Sequence, residues 1–218
     1  MSNAKTNISA ALLVVVPLVA IIGIFVVLHN GLVSKEEAVM GSWAQVESNY
    51  QRRTDLIPNL VKTVQSFVEH ERAVLSDVTE NRSAGTAVEK AIGDLLASRD
   101  EAENLAQGAE GKLGDEAYMK ALAVAQQQVG SRMSYLFGLV ENYPQLRSSD
   151  NFLALQDQLE GTENRIAVER QRFNEAARNY NTYIRQFPRV IIANMTGFQQ
   201  KAYFSAAEGA DSAPQVSF

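Results

Sequence analysis

Charged side chains at positions where an apolar one is expected are the first candidates for chemistry in this chain. Arg53 and Glu71 interrupt a run of apolar residues spaced three and four apart, and Arg52 stands beside Arg53. A charge on a buried helix face is costly unless it is paired. Two interpretations follow: ion pairs that fix the register of packed helices, which we favour, or a small anion- or carboxylate-peptide-binding site around Arg52 and Arg53.

The last long helix supplies candidate partners for these two charges. They are Glu163, Arg165, Glu169, Arg172 and Arg178. Three of them, Arg165, Glu169 and Arg172, share one face of that helix, and ordinary pairs on a helix surface explain this spacing.

The familiar catalytic and metal-binding arrangements lack the residues that they need. The chain has no cysteine, which excludes a thiol nucleophile, a thiolate zinc site and an iron–sulfur cluster, and it has two histidines. His29 ends the first apolar segment, so His70 alone cannot complete a di-iron bundle or a zinc site of three histidines. No phosphate-binding loop or nucleophile elbow occurs. We therefore predict no enzyme, no catalytic residue, no metal and no cofactor.

Composition points to a globular protein that does not bind nucleic acid. The 218 residues are 46% hydrophobic and carry a net charge of −5, and an acidic chain is a poor partner for a polyanion. Eight carboxylates against three basic residues fall between Glu89 and Glu116. This segment is predicted to be a solvated end of the domain, with an acidic docking site as the alternative.

An uncharged segment near the N-terminus predicts a transmembrane helix. Ile8 to Leu28 contains 21 residues without a charge, which as a helix would span the roughly 30 Å core of a bilayer. Pro17 inside it is tolerated in lipid. The alternative is a cleavable signal peptide, but the segment is long for one and His29 to Gly31 offers no small-x-small cleavage site.

The flanking charges give the expected orientation. Lys5 lies on one side of the segment, and Lys35, Glu36 and Glu37 lie on the other. This distribution favours an N-terminus in the cytoplasm and a bundle on the extracytoplasmic side of a single-pass membrane protein.

Beyond the segment, a capping-box pattern from Ser34 to Glu37 predicts the start of a long helix that extends to about Asn81. Its apolar stripe is typical of a coiled coil or a bundle. Pro58 predicts a kink or a local turn in the middle of this helix. Asp55 would then cap the restarted helix.

The rest of the chain predicts further helices and no strand. The glycine-rich stretch from 83 to 114 is expected to form the hairpin end of the bundle, with a short helix at 88–105. Long helices follow at 118–140 and from 148–150 to Phe187, where Pro188 ends the second. A short amphipathic helix is expected at 190–204, and residues 205–218 form a tail of small residues.

These elements predict an all-α fold with an N-terminal transmembrane helix and an elongated antiparallel helical bundle. The bundle contains three long helices and one or two short ones. The predicted divisions are an anchor at 1–30, a bundle at 31–204 and a tail at 205–218.

Two blocks of sequence resemble the signature of the LemA family. The first contains Trp43, Gln51-Arg52-Arg53, Asp55-Leu56-Ile57-Pro58-Asn59-Leu60-Val61 and His70-Glu71. The second contains Arg172, Asn174, Tyr180-Asn181-Thr182, Ile184 and Phe187-Pro188, followed by Phe204 and by Pro214, Val216 and Phe218. The resemblance covers nearly the whole chain after the first apolar segment, and the glycine-rich middle carries no family pattern.

The resemblance implies a bacterial inner-membrane protein with one transmembrane helix, a long antiparallel bundle and no established enzymatic activity. The family is similar to a magnetosome membrane component, which suggests a role in membrane organisation. We therefore expect a self-assembling scaffold that contacts the membrane, further copies of itself and protein partners through its bundle surface. The alternative is a membrane-tethered sensor or adaptor that binds a small anionic ligand or peptide near Arg52 and Arg53.

Overall fold

The chain is helical wherever its structure is described. The structure, a computed structural model, describes residues 2–74 and 79–205, with side chains at 13, 15–71 and 85–205. These residues contain no strand, which confirms the all-α prediction. The helices are α1 (Ser2–Val74), α2 (Thr79–Gln107), α3 (Glu116–Val140), α4 (Pro144–Arg147), α5 (Asp150–Arg185) and α6 (Arg189–Thr196), with a 3-10 turn at Glu110–Lys112.

Helix α1 is continuous over 73 residues, which corrects three expectations. No helix begins at Ser34, because the chain before it is already helical and its carbonyl groups accept from the amides that a cap would serve. No turn interrupts α1 at Pro58, which lies exposed between the buried residues Ile57 and Leu60. Packing on both sides holds the helix despite one missing hydrogen bond. Asp55 therefore caps nothing, and its Oδ1 accepts from Gln51 Nε2 at 2.9 Å.

Most of the glycine-rich middle is a helix of the bundle: the short helix expected at 88–105 lies within the longer α2, so the hairpin end is shorter than the predicted 83–114. Helix α2 has 29 residues, and its side chains Val88, Ile92 and Leu95 are buried in the core. It packs against α3, and the connection between them is confined to residues 108–115. The glycines did not prevent a helix because burial of its apolar face outweighs a cost of about 1 kcal/mol for each helical glycine. The predicted end of α1 near Asn81 involves residues 75–78, which lie outside the described residues.

The other predicted boundaries of long helices are confirmed. Asp115 caps α3 by accepting from the Tyr118 amide at 3.1 Å, and Pro144 opens the short helix α4. Ser149 Oγ accepts from the Phe152 amide at the start of α5. Helix α5 ends at Arg185, two residues before Phe187.

Helix α6 is shorter than the predicted helix over 190–204. Gly197 adopts φ +82°, a left-handed conformation that ends the helix and that other residues rarely adopt. The following residues up to 205 form no helix. The tail from 206 onward, including Pro214, Val216 and Phe218, lies outside the described residues.

The chain divides into two compact units. One consists of Met1–Gly41 with Glu175–Lys201, and the other of Ser42–Asn174 with Ala202–Phe218. The second unit contains the large core, in which apolar side chains from α1, α2, α3 and α5 meet, among them Ile57, Leu95, Leu136 and Phe152. The buried residues of the first unit include Leu32, Val39, Tyr180 and Ile184.

The apolar beginning of α1 belongs to the first unit and lies exposed. Every large apolar side chain described from Leu13 to Val27 is at least 37% exposed. Within the described residues, α1 is the one helix long and apolar enough to cross a membrane.

Candidate functional site

A buried arginine joins side chains of three helices in the second unit. Arg53 on α1 is 2% exposed, and its Nη1 donates to Glu163 Oε1 on α5 at 2.6 Å. Its Nη2 donates to Oε1 of Gln126 on α3. Gln126 Nε2 in turn donates to the Ala102 carbonyl of α2 at 3.1 Å. These hydrogen bonds replace the ones that the buried guanidinium would make with water.

An aromatic ring lies one helical turn before Arg53. The Arg53 Cζ atom is 5.8 Å from the centroid of the Tyr50 ring, a cation–π distance. Burial raises the pKa of Tyr50 to about 12, although the positive charges of Arg170 and Arg53 oppose the shift. Tyr50 is 2% exposed and its hydroxyl has no hydrogen-bond partner among the described residues.

A polar cavity of about 1120 Å³ opens beside this network. Its wall includes Arg53, Gln126 and Glu163 together with residues that carry charge or a hydroxyl: Glu116, Lys120, Ser131, Ser134, Arg170 and Ser205. Three basic residues face two carboxylates there, so the cavity suits a polar or anionic molecule better than an apolar one. Arg53 itself already donates to two partners.

Two asparagines of α5 bind the segment that follows α6. In the second unit, Asn174 Nδ2 donates to the Phe204 carbonyl and Asn174 Oδ1 accepts from the Phe204 amide, both at 2.8 Å. In the first unit, Asn181 makes the same pair with the Lys201 carbonyl and amide, both at 2.8 Å. Each amide replaces the backbone partner that a non-helical segment lacks.

A tyrosine between the two asparagines contacts the same segment. Tyr180 donates its hydroxyl to the Gln199 carbonyl at 3.0 Å. Burial, and secondarily the charge of Glu36, raises the pKa of this phenol. Lys201 Nζ forms an ion pair with Glu36 Oε1 at 2.7 Å. The residues from 199 to 204 are therefore held by these side chains and by a backbone hydrogen bond from the Ala202 amide to the Leu113 carbonyl at 2.7 Å.

The single tryptophan lies in an aromatic cluster of the second unit. The ring centroid of Trp43 is 6.5 Å from that of Tyr50, 5.9 Å from that of Phe173 and 6.2 Å from that of Phe204. Trp43 is 2% exposed. Its Nε1 group has no hydrogen-bond partner among the described residues. The cluster is packing, and Phe204 adds the end of the asparagine-bound segment to it.

Several residues singled out from the sequence lie away from these contacts. Arg52, Asp55, Pro58 and Asn59 are on the exposed face of α1, and Pro188 is also exposed. Successive helix residues point about 100° apart, so Arg52 does not share the surroundings of Arg53. Glu71 is half-exposed rather than buried, which corrects the expectation that it needs a buried partner.

Sequence reasoning missed Gln126 and Arg170. The signal for Gln126 was present, because it lies four residues after Leu122 and three before Val129, both buried. A polar residue in phase with an apolar stripe is the same signal that identified Arg53. Arg170 had no such signal, since its guanidinium Cζ lies 4.5 Å from the Phe204 ring only because the chain folds back.

The histidine outside the apolar segment lies on the surface. His70 is exposed and borders an open groove of about 650 Å³ with Asn59, Lys62 and Phe67. Across the residues whose side chains are described, no three histidine, aspartate or glutamate side chains converge as metal ligands would.

Comparison with known proteins gives one family and a small set of relatives. The model of the LemA family matches residues 42–218. The chain is 32% identical over 206 residues to magnetosome protein MamQ of Magnetospirillum gryphiswaldense, covering 93% of this chain and 75% of that protein. It is 33% identical over 198 residues to magnetosome protein MamQ 2 of Paramagnetospirillum magneticum, covering 90% of this chain and 72% of that protein.

Proposed function

Because the chain belongs to the LemA family, we propose that it is a membrane-anchored helical-bundle scaffold that organises membranes by self-assembly and has no catalytic activity. The observation that carries this proposal is helix α1. Its first part is an exposed apolar helix, and the same helix continues without interruption to Val74, supplying Trp43 and Arg53 to the bundle.

The exposed part of α1 supports the anchor. Eleven large apolar side chains between Leu13 and Val27 face outward, and each gains about 1.5–3 kcal/mol when it leaves water. A bilayer offers that gain over the length of the segment. We propose a single-pass protein of the bacterial inner membrane with its bundle on the extracytoplasmic side, and we retain the division into anchor (1–30), bundle (31–204) and tail (205–218).

The use of the buried polar groups supports a role without catalysis. Arg53, Gln126 and Glu163 bind one another, and Asn174 and Asn181 bind backbone. Their hydrogen bonds hold helices and a segment of chain in place. The names of the relatives refer to a structure of the cell and to no reaction.

Self-assembly requires apolar side chains that remain exposed on the folded chain. Trp43 and Tyr50 are buried within the chain, so they do not serve neighbouring copies. Exposed apolar residues on α3 remain for such contacts, namely Val124 and Tyr135. The outward-facing anchors of several copies can also pack together in one bilayer.

Three measurements test the scaffold. The full chain should remain in membranes after alkaline carbonate washing, and light scattering in detergent, corrected for the detergent, should give a multiple of 23.9 kDa. Asp157→Cys, at an exposed position of α5, should react with a membrane-impermeant maleimide added on the extracytoplasmic side. The label is specific because the chain has no cysteine of its own. Release by carbonate refutes the anchor, and a clean monomer refutes self-assembly.

A second function, a sensor or adaptor for a small anionic ligand or peptide, is favoured by the polar cavity beside Arg53. Arg53→Met tests it, with Arg52→Met as the matched control on the exposed face of the same helix. If the cavity binds a ligand, Arg53→Met loses a co-purifying molecule and keeps its fold. If Arg53 is purely structural, the change lowers stability and no molecule is lost.

A further inference from the structure

The outer face of α6 is apolar and exposed. Ile191 and Met195 lie four residues apart on α6 and are 51% and 73% exposed. Residues four apart lie on the same face of a helix. Phe187, in the turn before α6, is 81% exposed. The opposite face, with Ile192 and Ala193, is buried within the first unit. Helix α6 is therefore apolar on both faces, and the outer face is unpartnered within the described residues.

This helix lies at the end of the apolar segment of α1, within the same unit. The ring of Phe198, which follows α6, is 5.7 Å from that of His29. His29 stacks with Phe25 at 6.0 Å. Tyr183, which precedes α6, touches the backbone of α1 at Gly31. These contacts place Tyr183 and Phe198, which flank α6 in the sequence, beside residues 25–31 of α1, where an anchor running from Ile8 to Leu28 would leave the hydrocarbon.

Basic and aromatic groups accompany the apolar face. Arg189 Cζ lies 4.0 Å from the Tyr183 ring centroid, and Lys35 Nζ lies 6.0 Å from the same centroid. Arg185 is exposed at the end of α5. Tyrosine with lysine and arginine is typical of residues at the level of lipid headgroups, where the ring is partly buried and the cation meets phosphate.

We propose that α6 and Phe187 form a second membrane contact, inserted into the headgroup boundary of the bilayer that α1 spans. Phe187, Ile191 and Met195 enter the boundary, while Arg185, Arg189 and Lys35 face anionic headgroups. The inference rests on the proposed anchor, because the position of α6 beside residues 25–31 determines which surface it meets. Continuity with the exposed apolar face of α1 selects lipid over a second copy of the chain.

Single cysteines labelled with an environment-sensitive fluorophore test the contact in the full chain. The chain is reconstituted in phosphatidylcholine–phosphatidylglycerol vesicles that carry nitroxide either on the headgroup or deep in the acyl chains. The label is placed at Ile191→Cys or Met195→Cys. Ile21→Cys reports the anchor, and Leu153→Cys is the matched control, an exposed apolar residue of the second unit.

We expect blue-shifted emission and strong quenching by headgroup nitroxide at residues 191 and 195, deep quenching at residue 21, and neither effect at residue 153. Labels at 191 and 195 that behave like the one at 153, while residue 21 is quenched, overturn the contact and leave the anchor intact. Blue-shifted emission at 191 and 195 that no lipid nitroxide quenches means that protein covers the face, which also overturns it. Loss of quenching at residue 21 overturns the anchor and the contact together.

A variant with a polar outer face provides an independent check. Ile191→Asn with Met195→Asn should abolish headgroup quenching of a label at Phe187→Cys while the label at Ile21→Cys stays quenched. The matched control, Leu153→Asn with Val168→Asn, should leave both signals unchanged. Unchanged emission from Trp43 shows that the bundle has kept its fold. Undiminished quenching at residue 187 in the first variant contradicts the contact.

Discussion

Arg53 Nη1 and Glu163 Oε1 lie 2.6 Å apart although 110 residues separate them in the sequence. The arginine side chain is 3% exposed and the glutamate side chain is 33% exposed. The pair joins α1 to α5 within the second unit, and Gln126 extends the connection to α3. A buried charge with fixed partners penalises any shift of one helix along another, which makes this pair a determinant of register.

Removing Glu163 should therefore destabilise the bundle more than removing an exposed acid. We expect Glu163→Ala to lower the free energy of unfolding by about 1–3 kcal/mol, because it leaves a buried guanidinium with one partner fewer. Chemical denaturation measures the change. Arg53→Met combined with Glu163→Met should cost less than the sum of the two single changes.

The control for this pair is Asp94 on α2, whose Oδ2 forms an ion pair with Arg132 Nη1 at 3.5 Å and whose side chain is 40% exposed. Asp94→Ala should change stability by less than about 1 kcal/mol, as surface pairs do. Equal effects of Glu163→Ala and Asp94→Ala would contradict the structural role of the buried pair.

Asn181 should be required for order in the segment after α6. Asn181→Ala removes two hydrogen bonds of 2.8 Å to Lys201, and each unpaired buried group costs about 1–3 kcal/mol. The Lys201 amide should exchange its hydrogen faster, and the protein should unfold at a lower denaturant concentration. The exposed neighbour Asn179→Ala is the control and should change neither. An unaltered Lys201 amide in Asn181→Ala would show that other contacts hold the segment.

Stability should fall at alkaline pH because of Tyr50. Its pKa rises from 10.0 in the unfolded chain to about 12 in the folded one, so the folded state holds the phenolic proton more tightly. The contribution is complete below pH 10 and is lost as the pH rises towards 12, by about 3 kcal/mol in all.

The variant Tyr50→Phe separates this effect from that of other groups that titrate at alkaline pH, including Tyr180, whose pKa is also raised. At neutral pH we expect almost no loss of stability, since the Tyr50 hydroxyl has no hydrogen-bond partner among the described residues. Between pH 10 and 12 the variant should lose less stability than the unaltered protein. Parallel curves for the two proteins would refute the assignment to Tyr50.

Phe204 should control the surroundings of the single tryptophan. Its ring stacks on Trp43 and lies 5.4 Å from Phe173. Phe204→Ala should shift Trp43 emission to the red and make it more accessible to acrylamide, with a loss of about 3–5 kcal/mol in stability. Phe187→Ala, which alters a residue that is 81% exposed, should change neither. Unchanged emission in Phe204→Ala would place the tryptophan elsewhere.

The sequence determined the helices and the charged position that matters most. Apolar residues three and four apart fix which face of each helix is buried, and this pattern predicted α3 and α5 with little error. Arg53 was identified because it occupies a position of the stripe on α1 where an apolar residue is expected. Glu163 was among its candidate partners on the last long helix. The uncharged segment before His29 likewise predicted the exposed apolar part of α1, because its length and composition depend on no tertiary contact.

Tertiary packing decided where local signals compete with burial. The capping box at Ser34 and the proline at 58 are local preferences of about 1–3 kcal/mol, and the continuous helix α1 outweighs both. The glycines of α2 were overridden in the same way. Only the fold could show that Asn174 and Asn181 bind the returning chain, since a partner 20 or 30 residues away leaves no periodic trace. The fold also distinguished Arg53 from Arg52. Adjacent helix residues point in different directions, and Arg53 contacts α3 and α5 whereas Arg52 is exposed.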